Sequence, residues 1–200
     1  MSRIFLLRHA QSVANEKGFL AGRMANIELS KKGLTQRAEL ERRLSGAKFD
    51  QVISSPIQRC LDTIKNFDSN PQIENNFQEV HYGDWTGKKF STLNRSKAWR
   101  EIHKHPASVR FPNGETLPEV QIRALAGLDH QVRSTSKNVL IATHGDVVRV
   151  LVLHALGSHI NNIDKFEIDN ASITILERTG RDFRVLTVNN SSAAIKGLLK

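Results

Sequence analysis

Ile4-Phe5-Leu6-Leu7-Arg8-His9-Ala10-Gln11-Ser12-Val13-Ala14-Asn15, residues 4–15, is the stretch that decides the fold. Ile4 to Leu7 is apolar without alternation, which suits a central strand covered on both faces. The run stops at Arg8-His9. A cation and an imidazole at the carboxyl end of a buried strand are costly without partners or a task. Open α/β sheets place their ligand crevice outside the carboxyl ends of the strands. Two readings follow: His9 is a nucleophile beside an anion-binding Arg8, or this is an ordinary strand end with a surface Arg-His pair.

A second stretch has the same form. Asn138 to Thr143 (NVLIAT) is another unalternated strand, and it ends at His144-Gly145-Asp146. The helix after it is apolar from Val147 to Leu153 except for Arg149, so it is expected to be well buried. Phe49 to Ser55 predicts a further strand, and Ile73-Glu74 a short one. Ala171 to Glu177 and Phe183 to Val188, joined around Thr179-Gly180, predict a hairpin at the sheet edge.

Between the strands lie helices. Ser30 is expected to cap one running to about Leu44, with Leu34, Ala38, Leu40 and Leu44 inward and Gly46 ending it. Ser55 and Pro56 read as N-cap and first-turn proline of a helix burying Ile57, Cys60, Leu61 and Ile64. Arg59 lies in its first turn, either as a surface Arg or facing an anion. Pro112 to Glu115 (PNGE) breaks the chain before a helix burying Leu117, Val120, Ala124, Leu128 and Val132. This strand–helix alternation predicts a three-layer α/β/α fold: a mostly parallel central sheet with helices on both faces. One domain over residues 1–189 is the economical reading, with Asn190 to Lys200 as a loosely held tail.

The 200 residues suffice for one α/β core. No apolar run is long enough to span a bilayer, and no leader pattern precedes the first strand. Cys60 is the only cysteine, so a reducing, cytoplasmic setting is expected. The formal charge is +9. Seven Lys/Arg and one acid between Thr86 and Arg110 supply +6 of it. That stretch is either a solvated face or a basic lid over an anionic substrate.

In such a sheet Arg8, His9, Arg59 and His144 fall at one edge. Two Arg and two His around one point make a pocket for a tetrahedral dianion: guanidinium forks bind its oxygens, and a neutral imidazole attacks phosphorus. At these residues the chain resembles the histidine phosphatase superfamily, the family that includes the cofactor-dependent phosphoglycerate mutases. The blocks RHAQSVAN, AGRMANIELSKKGLTQ, SSPIQRCLDT, QEVHYGDWTG, PNGET and ATHGDVVR match the family's motifs in order, from about Ile4 to Gly157. The resemblance implies a phosphoglycerate mutase-like fold and phosphorylation of His9. Arg8, Arg59 and His144 would then stabilise the transferring phosphoryl group, and Glu79 would protonate the leaving oxygen and later activate water. Gln11, Asn15, Arg23 and Gly145 would line the substrate pocket. No metal and no cofactor are implied.

Some residues depart from the family pattern. Ala10 stands where most members have Gly, a methyl that could crowd the substrate. Arg37 replaces a usual Ala, and Val80 replaces the Arg that mutases carry. The mutases' paired lid Arg is missing, and the chain is shorter than theirs. These differences favour hydrolysis of a small phosphate monoester, with a phosphomutase as the alternative. A metal-dependent phosphatase would need clustered carboxylates. A cysteine phosphatase would need an Arg six positions after the thiol, where Asn66 stands. The basic charge keeps a nucleic-acid binder as a rival of another class, but no recognised binding motif supports it. The expected partner is a small phosphorylated molecule, with no nucleic acid and no membrane; the oligomeric state stays open, a homodimer included. The segment 87–114 is the expected lid.

Overall fold

A computed structural model describes residues 1–133 and 135–195. Six strands run in chain order as β1 (Ser2–Arg8), β2 (Gln51–Ser54), β3 (Gln72–Ile73), β4 (Asn138–Thr143), β5 (Ile173–Thr179) and β6 (Asp182–Asn190). They form one sheet in the order β3-β2-β4-β1-β5-β6. The pairs β1–β4, β2–β4 and β2–β3 are parallel, whereas β1–β5 and β5–β6 are antiparallel. The predicted edge hairpin is thus present, and the sheet is otherwise parallel.

The unalternated runs are explained by cover on both faces. Ile4 and Leu6 of β1 join Val139 and Ile141 of β4 in one core, while Phe5 and Leu7 join Leu140 and Ala142 in the other. The helices are α1 (Val13–Lys17), α2 (Lys31–Leu44), α3 (Gln58–Ile64), α4 (Phe90–Leu93), α5 (Lys97–Lys104), α6 (Leu117–Gln131) and α7 (Gly145–Ala155). Residues of α2 and α3 pack on the Phe5 face, and those of α6 and α7 on the Ile4 face. Among the described residues, no helix is long and apolar enough to cross a membrane.

Four local expectations need correction. In α2, Leu34 and Ala38 face solvent, and Gly33, Leu40, Arg43 and Leu44 are buried instead. Gly33 is inward because a Cβ there would lie 2.0 Å from the Gln11 carbonyl oxygen. Strand β2 is shorter than Phe49–Ser55. Helix α3 begins beyond Ser55-Pro56, and its N-cap position is Ile57. The tail is held as far as it is described: Asn190 ends β6, and Ile195 is fully buried. The cause is Arg43, whose buried guanidinium donates to the carbonyls of Ala171 (3.0 Å), Asn190 (2.7 Å) and Ala193 (3.3 Å). A buried cation needs such acceptors. Residues 196–200 lie outside the described residues.

Candidate active site

Strand register brings the two histidines together. Arg8 pairs with Thr143 at the ends of β1 and β4, so His9 and His144 leave the sheet side by side. The His9 amide donates to the Thr143 carbonyl at 2.9 Å. Their ring centroids lie 5.2 Å apart. The Ser55 amide donates to the Ala142 carbonyl at 2.9 Å, which sends the chain from β2 into α3 and places Arg59 between the rings. Thr63 Oγ1 ties this helix to the β1 loop: it accepts from the Ala10 amide (2.9 Å) and donates to the Arg59 carbonyl (2.6 Å).

Hydrogen bonds select the tautomers. The His9 Nδ1 hydrogen goes to the Ala10 carbonyl at 2.7 Å, because a carbonyl only accepts. The other nitrogen, Nε2, therefore keeps its lone pair, and Arg59 Nε donates to it at 3.0 Å. Arg59 also donates to His144 Nδ1 (3.1 Å) and to the Gly22 carbonyl (2.7 Å). His144 then carries its hydrogen on Nε2, 2.9 Å from Ser55 Oγ. Ser55 Oγ thus holds the histidine and also accepts from the Ile57 amide at 3.3 Å, just before α3 begins.

Two guanidiniums, Arg8 and Arg59, set the electrostatics of this buried place. Arg59 is 2% exposed and His9 3% exposed. Burial first, then Arg59 and Arg8, hold the His9 pKa well below the usual range, so the imidazole stays neutral. Burial, then Arg59, does the same to His144. Arg59 Nη1 and Arg8 Nε are buried without a hydrogen-bond partner in the protein. Buried N–H groups of this kind need an acceptor, and an anion between the two guanidiniums would supply one. Helix α7 starts at the same place, with its free backbone N–H groups. The Gly145 position lets Arg8 lie against this start: a Cβ there would stand 3.2 Å from Arg8 Nε.

Glu79 reaches the site from the loop before α4. Its Oε1 accepts from the Val80 amide at 2.9 Å, and its Oε2 lies 4.0 Å from His144 Nδ1. Burial, aided by neighbouring Asp146, pushes its carboxyl up to about 7. The loop is clamped by Arg123 of α6, which donates to the carbonyls of Asn76, Gln78 and Glu79 and to Glu115. Gly83 has φ +53° and abuts Pro112: a Cβ would be 1.9 Å from that carbonyl oxygen. Only a glycine lets the loop close there.

These side chains surround a cavity of about 250 Å³. Arg8, His9, Arg59, Glu79, Asn15 and Gly145 line it. His144 is buried just behind, touching Arg59 and facing Glu79. Gln11 and Arg23 are not on the wall. The Gln11 side chain accepts from Ser30 Oγ (2.8 Å), and Arg23 donates to the Glu79 carbonyl and to Glu115 (both 2.9 Å). Arg23 therefore braces the Glu79 loop. Ala10 sits in a separate apolar cluster with Leu29 and Ala171, away from the cavity.

The expected basic lid is also corrected. Lys88, Lys89, Arg95, Lys97, Arg100, Lys104 and Arg110 are all exposed, and none lines the cavity. Segment 87–114 presents Phe90, Trp99, Ile102 and Phe111 to it instead. Sequence reasoning also missed Tyr82, Asp146 and Arg149. Tyr82 donates its hydroxyl to Asp146 at 2.7 Å, and Arg149 pairs with Asp146 at 3.2 Å. The only available signal was Asp146 and Arg149 at the start of α7, directly after His144.

Known proteins resemble this chain in sequence and in fold. The histidine phosphatase superfamily (branch 1) matches residues 4–191. Phosphoserine phosphatase 1 of Hydrogenobacter thermophilus is 26% identical, over 94% of this chain and 92% of its own. A 2,3-bisphosphoglycerate-dependent phosphoglycerate mutase of Pseudoalteromonas atlantica is 25% identical, over 86% and 92%. Among solved structures, Bacillus stearothermophilus YhfR superposes with a TM-score of 0.87 at 25% identity, covering 95% of this chain and 98% of the other.

Proposed function

The chain belongs to the histidine phosphatase superfamily (branch 1) and is a phosphatase that works through a phosphohistidine; from that premise we propose that His9 is the residue phosphorylated. The observation that carries this reading is the unprotonated His9 Nε2, which accepts from Arg59 Nε at 3.0 Å on a ring that lines the cavity; Arg59 would pass that N–H to a phosphate oxygen as Nε2 attacks. The ester phosphate enters between Arg8 and Arg59, whose N–H groups take its oxygens. Nε2 attacks phosphorus, the N–P bond forms, and the ester P–O bond breaks. Glu79, whose carboxyl keeps its proton up to about pH 7, gives that proton to the departing oxygen. Water then attacks the phosphohistidine while the Glu79 carboxylate takes a proton from it; a new P–O bond forms, the N–P bond breaks, and phosphate leaves with His9 neutral and Glu79 protonated again. His144 positions Arg59 and faces Glu79. Asn15 and Gly145 border the phosphate, and segment 87–114 acts as the lid over one domain.

Relatives named for phosphoserine and for phosphoglycerate bound the substrate to small phosphate monoesters. Hydrolysis is favoured over mutase action because, among the described residues, no Lys or Arg beyond Arg8, Arg59 and Arg149 lines the cavity to hold a bisphosphate. The lone, buried Cys60 thiol fits a reducing compartment, the cytoplasm. Replacing His9→Ala tests the nucleophile: phosphate release should fall to background with the fold retained by circular dichroism. Activity near that of the parent protein would refute the assignment.

A further inference from the structure

The identity of the leaving group can be read from the rest of the cavity wall, on the premise that the site is a phosphatase. We propose that the preferred substrate is the phosphate ester of an apolar, ring-bearing alcohol that carries no second anionic group.

Six side chains, Phe90, Trp99, Ile102, Phe111, Leu20 and Ile163, give the cavity wall an apolar part beside its polar one. The aromatic members are braced against one another. The Trp99 ring lies 5.4 Å from Trp85 and 6.0 Å from Phe90, and Trp85 lies 5.6 Å from Phe111. Such a preordered wall gains from burying a ring and gives little to a hydrated group. Its volume, about 250 Å³, is just below the usual small-molecule range, room for a phosphate and a group of modest size.

Charge points the same way. Apart from Arg8 and Arg59, and besides His103, which pairs with Asp164 at 2.7 Å, the wall formed by the described residues holds one basic side chain, Arg149. Two carboxylates already engage it: Asp146 at 3.2 Å and Glu167 at 3.0 Å. Asp146 and Asp164 line the cavity as well. A carboxylate or second phosphate on the leaving group would lose its water and meet acids as often as bases. Arg149 Nε is buried without a partner. It can donate one hydrogen bond to a neutral oxygen, which a hydroxyl or carbonyl on the leaving group would satisfy. The seven exposed Lys and Arg of the lid face outward, so they cannot supply the missing counter-charge.

The test compares phosphate release by the full chain from 2-phenylethyl phosphate, glycerol 3-phosphate, O-phosphoserine and 3-phosphoglycerate. All are esters of aliphatic alcohols, so aryl-type leaving-group activation does not enter. We expect kcat/KM for the phenylethyl ester to exceed each of the others at least about tenfold. Trp99→Ala and Phe90→Ala should each shrink the phenylethyl-to-glycerol ratio about tenfold. This ratio is taken on one sample, so a partly unfolded variant still reports. A lead by O-phosphoserine or 3-phosphoglycerate, or a ratio unchanged in both variants, overturns the leaving-group class while leaving the phosphatase intact. No release from any ester, by contrast, overturns the phosphatase reading and the inference with it.

Discussion

Arg59 Nε donates to His9 Nε2 across 3.0 Å, so the attacking nitrogen rests against the guanidinium that would bind the phosphoryl oxygens. This contact holds the ring in place and keeps its pKa low, since Arg59 follows burial as the largest cause of the His9 shift. Replacing Arg59→Gln removes both effects. The loss of one charged donor should lower kcat/KM by about 10²–10³. The His9 pKa should also rise toward its ordinary value, so activity should acquire a loss at acid pH that the parent protein lacks. A pH profile of kcat/KM checks both; equal acid limbs in the two proteins would contradict the account.

Burial first, and then Asp146, raises the Glu79 carboxyl to about 7. With an alkyl ester, kcat/KM should fall as pH rises through about 7, because the proton needed by the leaving oxygen is lost. Asp146→Asn removes a nearby negative charge, so the Glu79 pKa drops and this limb should move to lower pH. Measured profiles with coincident alkaline limbs would show that Asp146 does not tune the acid.

The same shift predicts a stability effect. The Glu79 carboxyl has an ordinary value of 4.5 and a folded value of about 7. Between the two, the folded chain binds more protons than the unfolded one, so stability falls as pH rises through that window. Glu79→Gln abolishes the titration. Relative to the parent, the variant should gain up to about 3 kcal/mol above the window and nothing below it. Urea midpoints on either side of the window measure this, and a pH-independent difference would go against it.

The outward direction of the lid lysines makes a prediction opposite to that of a basic lid. Neutralising Lys88, Lys89 and Lys97 together should change KM for a phosphate ester by less than about twofold at physiological salt, because exposed charges there are screened beyond about 8 Å. A KM raised tenfold at that salt would place these side chains over the substrate.

Much of this site was legible because buried strands that end in polar residues are uncommon without a reason. Arg8-His9 after Leu7, and His144 after Thr143, mark the same sheet edge once the strands are parallel, and the family motifs supplied Arg59 and Glu79. Orientation was harder to read. Helix α5 is amphipathic, and counting Lys97, Arg100 and Lys104 does not say that Trp99 and Ile102 face the cavity. In α2 the apolar periodicity misled, because the buried positions are set by the Gly33 approach to Gln11 and by Arg43 seeking carbonyls 128 to 150 residues away. Gln11 and Arg23 match the family pattern, yet their partners, Ser30 and Glu115, are found only in three dimensions.

The central claim is a covalent bond between His9 and phosphorus. Rapid mixing with a good phosphate ester, quenching under alkaline conditions that preserve phosphohistidine, and peptide mass spectrometry measure it directly. The account predicts one phosphoryl group on the peptide containing His9, at Nε2, and none in His9→Ala. A phosphoryl group on any other residue, or turnover without a phosphorylated His9 under conditions that preserve phosphohistidine, would contradict it.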